Sequence, residues 1–246
     1  MHRSGRPFPA IRARESRPEL FDETLAVRLD EARATRLQER LSRKGGETAM
    51  RTCLEAFCSD FPASKDAVAR ALCRIAREGG KVLNDLADPD IGALDRAAQR
   101  ARFQAHLISG LVRFSELADG SWYAPIEPDC DVLPLIGDHF AARYADMDFA
   151  IHDRKRGSAL LHGVGHPWRL VEGFIFGTES EAVGGKAGEA PFSEREILIR
   201  SGWIRYFDAV AIAQRKNEKL QRGHMPKKYW PLLTELNSGT SPESLD

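Results

Sequence analysis

The chain has 246 residues, 42% of them hydrophobic, so it can fill a core without disulfide staples. Its 36 Lys and Arg balance its 36 Asp and Glu, which excludes a globally basic polyanion binder. Any affinity for nucleic acid must come from a local patch.

No apolar run approaches the roughly 20 residues that cross a bilayer, and the start MHRSGRPFPAIRARESRP lacks the apolar core of a secretion signal. Cys53, Cys58, Cys73 and Cys130 form neither a CxxC pair nor a repeating spacing. A cytoplasmic protein with free, mostly buried thiols is expected; a cluster ligand set on Cys53, Cys58 and Cys73 is the alternative.

Residues 1–18 are rich in Arg and Pro and read as a mobile arm. A helical segment over 19–109 follows. Phe21, Leu25, Leu29 and Ala32 recur at helical spacing, as do Met50, Leu54, Phe57 and Phe61, and then Val68, Leu72 and Ile75. Gly45-Gly46, Phe61-Pro62 and Gly79-Gly80 punctuate these stripes. A fourth helix is expected to start at Asp88, with Pro89 at its first position and Leu94, Ala98, Ala101 and Ala105 on one face.

Beyond Gly110 the texture changes to an α+β pattern over 110–237, forming one compact unit with the helical segment, with 238–246 as a tail. LVRFSEL and SWYAPIE flank Asp119-Gly120, a hairpin signal, and Pro125 marks the second strand as an edge or a bulge. Val132, Ile136, Phe140 and Tyr144 form the stripe of an inserted helix. DFAIHD, SALLHG and RLVEGFIF read as short strands, so a central antiparallel sheet with one inserted helix is expected. The Gly-rich stretch 177–193 reads as a long loop. Ser193 and Glu196 have the spacing of a capping box for a helix running through Ile199, Trp203, Tyr206 and Val210. A last helix is expected from Pro226, carrying Tyr229, Leu232, Leu233 and Leu236.

The overall neutrality conceals a basic tract near the carboxyl end. Arg215, Lys216, Lys219, Arg222, Lys227 and Lys228 are offset there only by Glu218, with Asn217, His224, Tyr229 and Trp230 among them. Arg and Lys bind phosphates with release of counterions, and neighbouring aromatic rings can stack on an unpaired base. The alternative is a solvated linker with Tyr229 and Trp230 facing the core. A second basic turn, Arg154-Lys155-Arg156, together with Arg113, could extend the same surface or form an ordinary hairpin loop.

Glu127, Asp129 and Asp131 are candidates for proton transfer or for holding an ion. Their structural alternative is a turn, with Asp131 capping the helix that follows. Three carboxylates this close would repel unless something positive lay nearby. His162 and His166 have two glycines between them and read as ordinary loop histidines, and His139 as a core-edge residue. No metal or cofactor is expected.

Two blocks, RFSELADGSWYAPIEPDCDVLPLIGDHFAARYADMDFAIHDRKRG and RSGWIRYFDAVAIAQRKNEKLQRGHMPKKYWPLLTEL, resemble a DNA-metabolism protein family. Its defining domain is of unknown function and occurs alone or fused behind a uracil-DNA glycosylase-like domain. The similarity runs from about Arg33 to Glu235. It departs from the family pattern at Ala105 and Leu107, where a Glu and an Arg are typical, and at Phe149 and His152, commonly Trp and Tyr. The resemblance implies an accessory role in DNA repair or modification beside a radical-SAM iron–sulfur partner. A nucleic-acid-processing enzyme using Glu127, Asp129 and Asp131 and a protein-interaction scaffold are the alternatives. The oligomeric state is left open.

Overall fold

The computed structural model describes residues 30–176, 192–210, 221 and 223–236. The expected arm 1–18, the stripe positions Phe21, Leu25 and Leu29, the loop residues 177–191 and the tail 238–246 lie outside them. Among the described residues, N-terminal helices precede a central sheet with an inserted helix and C-terminal helices, the α+β order expected. The chain divides into two compact units, Met1–Phe103 and Gln104–Asp246. Among the described residues, no helix is long and apolar enough to cross a membrane.

The first unit holds α1 (Glu31–Phe57), α2 (Ser64–Glu78), a 3-10 turn (Gly80–Asn84) and the first turns of α3 (Pro89–Leu111). Asp30 caps α1 by accepting from the Arg33 amide at 2.9 Å. Asp88 does the same for α3, accepting from the Asp90 and Ile91 amides at 3.0 and 3.1 Å, so Pro89 occupies the first helical position as its missing amide favours. Both double glycines matter. Gly46 takes φ +78 and breaks the run of α1. A Cβ on Gly80 would land on the Gly45 carbonyl oxygen and 2.9 Å from its carbon, so the two glycine pairs cross backbone to backbone.

Small residues let the helices of this unit approach, and Ala49, Ala56, Ala71, Ala97 and Ala98 fill the core with Leu41, Ile75 and Leu94. Glu55 is buried on α1 beneath the Arg102 guanidinium, which reaches it from α3 at 2.6 Å. None of the four cysteines forms a disulfide, and all but Cys73 are buried; burial pushes Cys53 up to about 11.

The second unit is built on five strands in spatial order β1 (Ser115–Glu116), β2 (Trp122–Ile126), β3 (Phe149–Asp153), β4 (Ser158–His162) and β5 (Arg169–Glu172). The β1–β2 hairpin turns through Gly120 at φ +84, as Asp119-Gly120 foretold. The sheet is mixed and not wholly antiparallel, because β2 and β3 run parallel. A helix, α4 (Leu133–Arg143), connects them, and such a crossover returns the chain to the same end before the next strand starts. Val132, and not Asp131, is the residue at the N-cap of α4. The α4 stripe buries Ile136 and Phe140, and Phe114 meets Phe140, Tyr144 and Phe149 edge-on at 5.2 to 5.8 Å.

Pro125 is tolerated inside β2 for a legible reason. Trp122 donates to the Asp148 carbonyl, and Ile126 accepts from the Arg154 amide, so even-numbered positions bond toward β3. The amide that Pro125 lacks would point the other way, past the end of the two-residue β1.

Helix α5 (Glu194–Val210) starts with half of the expected capping box. Ser193 Oγ accepts from the Glu196 amide at 3.0 Å, but the buried Glu196 carboxylate turns to β1 and accepts from the Glu116 amide at 3.3 Å, while the Ser193 amide donates to the Glu116 carbonyl. The start of α5 thereby extends the edge of β1. The last helix (Lys227–Leu232) is 3-10 and not α; Pro231 inside it has no amide to donate, and in an α-turn its ring would clash with the Lys227 carbonyl.

Candidate nucleic-acid interface

The parallel pair decides which loops meet. Ile126 at the end of β2 sits opposite Asp153 at the end of β3, so the segments that follow, 127–131 and 154–157, leave the sheet side by side. Carboxyl ends of parallel strands are where open sheets bind ligands. Asp153 is fully buried and organises the second segment. Its Oδ1 accepts from the Lys155 and Arg156 amides at 3.0 and 3.2 Å, its Oδ2 takes the Arg156 guanidinium at 2.7 Å, and Gly157 closes the turn at φ +63. Arg156 also donates to the Pro128 and Asp129 carbonyls, tying the two segments together.

The carboxylates and the basic turn interlock. Glu127 faces Arg154 at 3.5 Å, and Asp129 faces Lys155 at 3.5 Å. Lys228, from the C-terminal 3-10 helix, pairs with Asp129 Oδ2, which Gln104 Nε2 also reaches at 3.2 Å. The mutual repulsion of the acidic stretch is thus relieved by cations from two other segments. The hydrogen bond from Lys228 holds the Asp129 carboxyl below its ordinary range, with Gln104 and Lys155 adding to it. Burial pulls the Lys228 ammonium down, but Asp129 and Tyr229 together more than offset it, and the net shift is upward.

The other expected site residues are placed as follows. Lys227 lies 5.6 Å from the centre of the half-buried Trp230 ring, whose Nε1 donates to the Met225 carbonyl. Tyr229 turns inward and is 2% exposed, with Lys228 at 4.8 Å from its ring centre. His224 is exposed. Arg113 bonds Glu235 at 2.8 Å and the Gly110 and Val112 carbonyls, so it is not brought to the Asp129 cluster. Arg215, Lys216, Asn217, Lys219 and Arg222 lie outside the described residues. Among the described residues, no three of His, Cys, Asp and Glu gather as a metal site would require.

A family model for a domain of unknown function, DUF4130, matches residues 62–235. The chain belongs to the DUF4130 family. No curated protein and no solved structure matches it. Every contact of the Asp129 cluster falls inside the DUF4130 span, whereas Gly45-Gly46 precedes it.

Three features of the DUF4130 domain gave no signal in the sequence. Gln104 sits in a helical stripe that gives no hint of its amide's target, and Asp153 looks like any hairpin-flanking acid. Tyr123 and His152 form the third feature, on the sheet face opposite Phe149 and Ile151. The Tyr123 hydroxyl and His152 Nδ1 are 2.9 Å apart, and Phe176 stacks on Tyr123 at 3.6 Å. Burial pushes Tyr123 up to about 12, with Arg154 opposing it; burial also lowers His152, and there Arg154 adds to the shift while Asp153 opposes it. The pair therefore favours a neutral imidazole facing a protonated phenol, and the imidazole tautomer sets which of the two donates. The alternation of β2 and β3 could have flagged this pair, but only once their parallel register was known.

Proposed function

We propose that this DUF4130 protein is an accessory factor of DNA metabolism that binds DNA, or a modified base in it, beside a radical-SAM iron–sulfur partner. The reading is carried by one observation: Lys155 and Lys228, distant in sequence, meet at Asp129 beyond the carboxyl ends of the parallel strands. Arg154 and Lys227 lie next to them in the chain and are exposed. Four exposed cations on neighbouring segments suit a phosphate backbone better than a single small anion. The half-exposed Trp230 adds a flat ring beside them.

Titration of labelled single- and double-stranded DNA at several salt concentrations tests the reading. If all four cations contact phosphates, duplex affinity falls about a hundredfold between roughly 50 and 200 mM salt. Binding that is absent at low salt, or indifferent to salt, overturns it. Co-purification of an iron–sulfur protein without DNA would favour the scaffold alternative. The enzymatic alternative on Glu127, Asp129 and Asp131 draws less support, because Asp129 is engaged by Lys155, Lys228 and Gln104 at once.

A further inference from the structure

The surroundings of Asp129 have the make-up of a phosphate site that already holds an anion. Gln104 is 7% exposed, and its amide is fixed in direction: Oε1 accepts the Cys130 backbone N–H, which aims Nε2 at Asp129 Oδ2. Lys155 comes from the turn after β3, and Lys228 from the C-terminal 3-10 helix. One carboxylate thus collects three donors anchored on three separate elements. Two ammonium groups against one carboxylate leave the cluster with an excess positive charge. Asp129 is the yielding member, since its side chain is a third exposed and belongs to an irregular segment. Its carbonyl, bonded by Arg156, can stay in place while the carboxylate rotates away.

We propose that Asp129 is a built-in stand-in for a phosphodiester: Gln104 Nε2, Lys155 Nζ and Lys228 Nζ form a phosphate cradle that the carboxylate fills in the free protein and yields to the nucleic acid. The identity of the ligand rests on the DNA reading above; the cradle itself does not. An exposed ion pair is worth little, so displacement is cheap at physiological salt. The carboxylate would then raise the threshold for weak or isolated phosphates, while a polymer that engages Arg154 and Lys227 as well displaces it.

The test uses the full chain as wild type, Asp129→Asn, Glu127→Gln and the double variant Asp129→Asn with Lys228→Ala. Pyrophosphate is the simple probe, read as the thermal shift of each protein relative to its own midpoint, and a labelled single strand is the polymer. Asp129→Asn is expected to bind both about two- to fivefold more tightly than wild type. Its salt dependence on the strand should stay that of wild type, because the cradle grips the same phosphate once the carboxylate has yielded. Lys228→Ala in the same background should cancel the gain. Glu127→Gln removes the same charge outside the cradle and should give less than half of it.

Pyrophosphate bound no more tightly by Asp129→Asn than by wild type, or an equal gain in Glu127→Gln, overturns the stand-in. If Asp129→Asn gains on pyrophosphate while no variant binds the strand, the cradle stands and the DNA reading falls. If wild type binds the strand with the expected salt dependence and Asp129→Asn gains nothing on either probe, the DNA reading stands and the stand-in falls.

Discussion

Replacing Asp153 by Asn tests how the basic turn is held. Asn keeps the volume and the Oδ1 acceptor, so the bonds from the Lys155 and Arg156 amides can persist. What changes is the atom facing the Arg156 guanidinium, 2.7 Å away, where an accepting carboxylate oxygen becomes an N–H donor. A hydrogen bond to a charged group is worth about 1.5–3 kcal/mol. Arg156 is partly exposed and keeps the Pro128 and Asp129 carbonyls, so the loss should sit at the lower end, about 1–2 kcal/mol. With a urea slope of about 2 kcal/mol per molar, the unfolding midpoint followed by far-ultraviolet circular dichroism should drop by roughly 0.5–1 M at unchanged slope. Asp153→Ala loses all three bonds and should fall further. Stability of Asp153→Asn within about 0.3 kcal/mol of wild type would show that the turn does not depend on this carboxylate, and would remove the reason for placing Lys155 beside Asp129.

Other expectations follow from the same kind of argument. Gly80→Ala puts a methyl onto the Gly45 carbonyl and should cost about 1–3 kcal/mol by chemical denaturation, whereas Gly110→Ala, which meets nothing within 4 Å on a helix, should be neutral or stabilising. Arg102→Ala leaves the buried Glu55 carboxylate with only the exposed Arg51 at 3.3 Å, and a loss of about 3 kcal/mol is expected; Glu55→Gln in that background should recover part of it. His152 has a lowered folded pKa, so its neutral form is the one the fold accepts. Stability should therefore be fully present above the ordinary value of 6.5 and decline as pH falls through it toward the folded value, and His152→Phe should flatten that decline in urea titrations between pH 7 and 5.5.

Much of the architecture was readable because its signals are local. Asp88-Pro89, Asp119-Gly120 and the α4 stripe each specify their element within a few residues, and the structure places all three where their chemistry puts them. The parallel pairing of β2 and β3 was not readable, since it depends on where a returning chain docks and not on any residue in either strand. The same cause hid Gln104 and the Tyr123–His152 pair, whose partners lie 25 or more residues away. The C-terminal segment misled for a different reason: its apolar spacing fits an α-helix, and Pro231, in plain view, outweighs the spacing. Charge was legible and pairing was not. The cations of 154–156 and 227–228 stood out at once, while their engagement with Glu127, Asp129 and Asp153 came only with the fold.

The crossover that sets β2 alongside β3 also governs how such a protein could diversify. Both loops that flank Asp129 leave the sheet beyond its paired residues, although the Arg154 amide still reaches back to the Ile126 carbonyl. Exchanges at loop positions that bond neither Ile126 nor Asp153 would alter what is gripped at little cost to the fold. Selection, or an engineer grafting new turns after Ile126 and Asp153, can retune recognition on a scaffold that does not have to change.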